Sequence, residues 1–175
     1  MPGGTESAKP PTETSQTIEY HPIGVIRTPF AEPHGMPIQP SGGAGVKGHV
    51  EVFPEYREGL QDLEGFSHII LLYHLHLSSG FKLLVVPYMD TELRGVFATR
   101  APRRPNPIGL SVVRLTGVEH GVLNVENLDI VDGTPLLDIK PYVPDFDVSE
   151  RLRTGWLEEV RKTVGDRRSD ARFHT

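Results

Sequence analysis

The segment Arg100-Ala-Pro-Arg-Arg-Pro-Asn-Pro-Ile-Gly-Leu-Ser111 sets three arginines and three prolines into one eight-residue window. Proline fixes φ and biases the residue before it to extended backbone, so Arg104 and Asn106, each followed by proline, are held in predictable orientations. Rigid guanidinium forks suit carboxylates and phosphates better than a mobile lysine. Two readings stand: an anion-binding loop, or an edge loop whose arginines pair only with nearby acids. Between Arg94 and Arg114 the chain carries five arginines and no acidic residue, while Glu51–Glu64 and Asp129–Asp147 are acid-rich. A local basic patch therefore fits beside a net charge of -5, which itself argues against a protein coating nucleic acid over its whole surface.

Three further groups of residues have types suited to chemistry. His68, His74 and His76 share parity and would face one way in a regular strand. Six residues separate the first two, roughly 20 Å of strand, and no carboxylate stands near to complete a metal site. No metal is expected; His76, at the strand end, reads equally as a ligand contact or as a half-buried histidine with a backbone partner. Gly43-Ala-Gly45-Val-Lys-Gly48 matches the dinucleotide fingerprint, but it follows a Pro-rich loop and precedes an alternating strand, so the helix N-terminus that would hold a pyrophosphate is missing. Asn127 to Pro135, with its Asp-Gly turn, and Leu136 to Tyr142 read as a β-hairpin that puts Asp138 and Lys140 on one face, either in a shared pocket or as a surface ion pair.

The elements that must carry these groups are mostly strands. Runs at Tyr20–Arg27, His49–Phe53, His68–His76, Leu83–Val86, Gly95–Thr99, Ser111–Val118, Val122–Ile130 and Leu136–Tyr142 are separated by Pro or Gly turns about every dozen residues, a spacing that favours an all-β barrel or sandwich. The run from His68 should be central and buried on most of both faces. Pro54 to Leu63 predicts a short helix. Asp147-Val-Ser-Glu150 resembles a capping box, and Leu152, Trp156, Leu157 and Val160 make one apolar stripe, so residues 149–164 are expected to form an amphipathic docking helix. Residues 1–17 are too poor in apolar side chains to order, residues 18–148 should form one domain, and 165–175 should fray. The loop from Glu32 to Gly48 is long enough to expect a function. With 175 residues, 37% hydrophobic and 23% charged, one globular domain is expected. No apolar run nears the roughly 20 residues of a membrane span, and the N-terminus lacks a basic start and apolar core, so a cytoplasmic location is expected. Zero cysteines exclude disulfides, thiolate nucleophiles and Cys-based zinc sites.

Five segments taken in order, Ile23–Phe30, Leu63–His68, Gly95–Arg100, Arg104–Ser111 and Leu128–Pro135 followed by Asp138–Tyr142, strongly resemble the TrmO family, also called TsaA or YaeB, over about Glu19 to Val148. The resemblance implies a single-domain β-barrel that forms a homodimer with its cofactor, S-adenosyl-L-methionine, near the subunit interface. It further implies a tRNA substrate, methylated at N6 of threonylcarbamoyladenosine beside the anticodon. Carried over by motif, the implied cofactor contacts are Gln39, Pro40, His76, Arg100, Leu110, Glu126, Asn127, Leu128 and Asp129. Arg103 and Arg104 are then candidates for gripping tRNA phosphate, and Asn106 for fixing the loop and the modified base. Methyl transfer rests mainly on positioning; a carboxylate such as Asp138, with Lys140 and Tyr142 orienting substrate, is the candidate base for the N6 proton. Two departures from the family pattern are visible: Pro37-Ile-Gln-Pro40 where bacterial relatives often have Pro-Arg-Gln-Pro, and a chain that ends soon after the docking helix where longer relatives add a C-terminal domain. The same barrel acting on another RNA or a small molecule, or a non-catalytic cofactor-binding module, are the competing expectations.

Overall fold

The computed structural model of the chain describes residues 17–37, 44–148, 152–160, 169, 170 and 173. Among the described residues eight strands run in the order β1 (Gly24–Arg27), β2 (Lys47–Val52), β3 (His68–His74), β4 (Leu84–Val85), β5 (Arg94–Gly95), β6 (Ile108–Glu119), β7 (Val122–Glu126) and β8 (Thr134–Pro141). Six of them close a barrel in the order β1-β2-β7-β6-β3-β8, every pair antiparallel, while β4 and β5 form a small separate ribbon. Of the barrel and the sandwich that the strand spacing left open, the barrel, which the family resemblance implied, is the observed fold.

Closure into a barrel gives every strand an inside and an outside. β3 accordingly alternates: Ile69, Leu71 and Tyr73 are buried, whereas Ile70 and Leu72 are only half-buried. The expectation of burial on both faces is corrected to burial on one. The β6–β7 connection is a two-residue turn with positive φ at both His120 and Gly121, the handedness that matches strand twist.

The sequence also suggested pairing that the barrel does not make. β7 bonds to β2 and β6, and β8 bonds to β1 and β3, so the expected 127–142 hairpin is absent. Asn127, with φ of 68°, turns the chain out of β7, and residues 128–133 cross one end of the barrel instead. Gly95–Thr99 is a two-residue strand end followed by a 3-10 turn, Val96–Ala98. Pro54–Leu60 is 3-10 rather than α-helical and is ended before Leu63 by Asp62 at φ 66°.

At the C-terminal end, Asp147 does not open a long helix. Its carboxylate accepts the Val143 backbone N–H at 2.8 Å and closes a one-turn helix, α1 (Pro144–Asp147). A second helix, α2, is described over Leu157–Val160, after Gly155 at φ 58°, and Leu152 is exposed. The stripe from Leu152 is thus interrupted by a left-handed glycine. Within the stretch expected to fray, Ser169 and Phe173 are buried: the Ser169 backbone bonds to Gly35 and Met36, and Phe173 meets the Tyr88 ring edge-on at 5.0 Å.

The barrel is drawn tight where β2 passes β1. A methyl group on Gly48 would lie 2.3 Å from the Arg27 carbonyl oxygen and 2.5 Å from the Leu128 side chain. Gly48→Ala is therefore expected to cost about 2 kcal/mol in urea unfolding, whereas Gly59→Ala, which meets nothing within 4 Å, stays within about 0.5 kcal/mol. Equal stability of the two variants would show that the β1–β2 approach is looser than described.

Candidate active site

The site is built on the segment that crosses the barrel end. Leu128 and Ile130 are fully buried, so extended geometry aims Asp129, which lies between them, the other way, toward a cavity. The segment is tied to the strand end Arg27-Thr-Pro-Phe30. Thr28 Oγ1 donates to the Ile130 carbonyl at 2.8 Å, the Thr28 N–H donates to Asp132 at 3.0 Å, and the Asp132 N–H donates to the Phe30 carbonyl at 2.8 Å.

Behind Asp129 stands a polar chain inside the barrel. Ser111 Oγ donates to Asp129 Oδ1 at 2.6 Å, and the Tyr73 hydroxyl lies 2.9 Å from Ser111 Oγ. Burial pushes the Asp129 carboxyl up to about 6, against the smaller lowering effects of the Ser111 bond, its own backbone N–H and Arg100. Burial likewise raises the Tyr73 phenol well above its ordinary value, so it remains a neutral hydroxyl. The ring of Tyr73 needs Gly109 beside it, because a methyl there would lie 2.1 Å from Cε2. Neither Tyr73 nor Ser111 was singled out from sequence. The pairing of Tyr73 with Gly109 and of Leu71 with Ser111 across β3 and β6 brings them together.

The cavity encloses about 350 Å³, a size that suits a nucleoside-sized ligand. Pro33, Met36 and Pro37 wall it from the long loop, Ile108, Gly109 and Leu110 from β6, and Ser169 and Phe173 from the C-terminal end. His76, in the turn beyond β3, sits with Nδ1 3.4 Å from Thr134 Oγ1 and is held below its ordinary pKa by burial first and by His74 second. It is therefore a neutral imidazole at pH 7.

Of the residues singled out from sequence, His76, Arg100, Arg104, Leu110 and Asp129 line this cavity. Gln39 and Pro40 lie outside the described residues, although Pro37 beside them is part of the wall. Glu126 pairs with Lys47 and Arg114 on the barrel surface, Asn127 accepts the Gly45 N–H, and Leu128 faces the core, so these three support Asp129 rather than line the cavity. Arg104 is turned inward: one guanidinium nitrogen donates to the carbonyls of Thr99 at 2.9 Å and Val96 at 3.1 Å. It braces its own loop instead of standing free for phosphate. Arg103 does not line the cavity and its carbonyl accepts the Lys82 N–H, while Asn106 is exposed with its carbonyl closing a turn onto Ile108.

Asp138, Lys140 and Tyr142 do not line the cavity. A bulge between the β3 partners Leu72 and Tyr73 reverses the parity of β8, so Leu136 faces in while Asp138, opposite Leu72, faces out. Asp138 and Lys140 pair with each other at 2.8 Å, and Tyr142 packs on His68 at the far end of β3. His68 and His76 are thereby at opposite ends of the strand.

Residues 25–148 match the family model described as the tRNA-methyltransferase O N-terminal domain. The chain belongs to the TrmO family. A probable S-adenosyl-L-methionine-binding protein of Pyrococcus abyssi is 58% identical over 156 residues, covering 89% of this chain and 85% of that one. A tRNA (adenine(37)-N6)-methyltransferase of Rattus norvegicus is 37% identical over 83% of this chain, which spans only 35% of that protein. The crystal structure of TrmO from Pseudomonas aeruginosa superposes with a TM-score of 0.68 at 43% identity, covering 81% of this chain; the chain spans 63% of that structure's length.

In this TrmO-family barrel the half-buried Asp129 carries a testable cost. Its carboxyl titrates near 6 when folded against an ordinary 3.8, so the folded state favours the protonated form, and stability falls as pH rises from about 4 through 6. Asp129→Asn keeps an acceptor for Ser111 and removes the charge. Urea titrations should find the variant more stable than the wild type by about 1–2 kcal/mol at pH 7.5, with the gap closing by about pH 4. A gap that does not change with pH would contradict the described burial.

Proposed function

We propose that this chain is an S-adenosyl-L-methionine-dependent methyltransferase that acts on tRNA at N6 of threonylcarbamoyladenosine next to the anticodon. One observation carries the reading: a half-buried carboxylate, Asp129, lines a nucleoside-sized cavity in a TrmO-family barrel, with the exposed Arg100 at the same cavity. S-adenosylmethionine presents ribose hydroxyls and an ammonium that a carboxylate accepts, a carboxylate that a guanidinium meets, and an apolar adenine. The cavity offers each counterpart, in Asp129, in Arg100 and in the apolar wall of Met36, Ile108 and Leu110. Relatives named as S-adenosyl-L-methionine-binding proteins and as tRNA (adenine(37)-N6)-methyltransferases support the same choice of cofactor and substrate.

When bound, the cofactor supplies an electrophilic methyl carbon on a sulfonium. The chain's own contribution is placement. Asp129, fixed by Ser111 and by the Thr28 contacts, holds one end of the ligand; Arg100 holds the charged end; the apolar wall excludes water. Neutral His76 offers a hydrogen-bonding ring without adding positive charge beside a cationic ligand. Proton removal from the acceptor by Asp138, oriented by Lys140 and Tyr142, requires a second copy to bring its outer β8 face to the cavity mouth, because the same copy's Asp138 faces away. A homodimer is consistent with the exposed apolar side chains Phe81, Leu83 and Leu84 and with the exposed Leu77 at the cavity wall.

Calorimetry with S-adenosylmethionine tests the premise, and absence of binding would remove it. With the cofactor bound through ionised Asp129, affinity should hold above about pH 6 and fall below it. Nucleoside mass spectrometry of tRNA from a deletion strain tests the substrate: N6-methyl-threonylcarbamoyladenosine should disappear, and an unchanged level would reject the assignment.

A further inference from the structure

Direct transfer between two ligands needs the reacting atoms within roughly 3–3.5 Å, so a donor cavity must open onto a place for the acceptor. A second cavity, of about 470 Å³, adjoins the first, and Tyr88, Thr99, Arg100 and Phe173 belong to both walls. Its other side is aromatic. Phe97 is 74% exposed on the 3-10 turn Val96–Ala98, and Trp156 faces the same space from the C-terminal end.

Both rings are held in place. Trp156 Nε1 donates to the Ala98 carbonyl at 2.9 Å, and the Arg94 guanidinium lies 5.7 Å from the indole centroid. Arg94 is itself fixed by Asp90 at 2.7 Å. The Arg104 guanidinium lies 5.8 Å from the Phe97 ring while its bonds to Val96 and Thr99 fix the turn on which Phe97 stands. Two oriented aromatic planes, each with a guanidinium beside it, Arg94 held by Asp90 and Glu92 and Arg104 by backbone carbonyls, are an arrangement by which proteins hold unstacked bases of single-stranded nucleic acid. An apolar peptide would have no use for the cations, and duplex RNA does not expose base faces.

We infer that this second cavity is the acceptor subsite, taking one unpaired adenine of single-stranded RNA against the rings of Phe97 and Trp156 and turning its N6 edge toward the junction where the two cavities meet. The inference rests on the methyltransferase reading and adds the place and the binding mode of the base. Stacking accepts any base, so the adenine preference must come from the polar junction at Thr99 and Arg100 rather than from the rings.

Trp156 is the chain's only tryptophan, so its emission reports on this cavity directly. The experiment titrates the full chain, loaded with S-adenosylmethionine, with a short single-stranded oligoribonucleotide whose only base is one adenine among abasic residues, and with the same oligonucleotide made abasic at that position too. Saturable quenching by the first and not the second is expected. Phe97→Ala should weaken oligonucleotide binding about tenfold, leave cofactor affinity by calorimetry within about twofold, and be rescued by Phe97→Tyr. Unchanged Trp156 emission in a protein that binds the cofactor, or an unaltered oligonucleotide affinity in Phe97→Ala, would overturn the subsite alone. A change of oligomeric state in Phe97→Ala, seen by light scattering, would also overturn it by showing that a second copy covers Phe97. Loss of cofactor binding in the wild type would instead remove the methyltransferase reading itself.

Discussion

Everything at the site depends on Leu128 and Ile130 being buried in the end of the barrel. Extended backbone alternates, so two core-facing neighbours leave Asp129 with no direction but the cavity. Their apolar burial stabilises the segment by a few kcal/mol, roughly 1.5–3 for each side chain, which is large enough to hold a half-buried carboxylate against its desolvation. Ser111 offsets part of that desolvation with a 2.6 Å hydrogen bond. A burial-driven contact thus pre-positions a polar group where burial alone would exclude it.

The arginine-rich loop divides by the geometry of its carbonyls. Arg104 folds back onto Val96 and Thr99 and makes the turn rigid, which keeps Arg100 exposed where the two cavities join. A loop whose composition suggested several equivalent phosphate contacts has one arginine at the junction and one bound to its own backbone. The reason is hydrogen-bond satisfaction: a short turn leaves carbonyls that strands would otherwise have paired, and the guanidinium is the nearest donor.

Two small backbone irregularities move residues that sequence parity had put elsewhere. The bulge in β8 sends Asp138 and Lys140 to the outer face, and the positive φ of Asn127 converts an expected hairpin into a segment crossing the barrel end. Gly155 likewise ends the apolar periodicity of 149–164 as a single helix. In each case one residue of register or handedness reverses the face of everything after it.

The sequence by itself determined the strand-rich character, the rigidity of the Arg-Pro segment and, through the ordered motifs, the family; these follow from local spacing and from residue types that restrict φ. It also marked His76, Arg100, Leu110 and Asp129, which converge on the cavity. Only the tertiary structure decided that Tyr73 and Ser111 stand behind Asp129, that Phe173 and Ser169 help wall the cavity, and that Asp138 faces away from it. Those outcomes depend on barrel closure, cross-strand register and one bulge, contacts between residues far apart in sequence that no local pattern encodes.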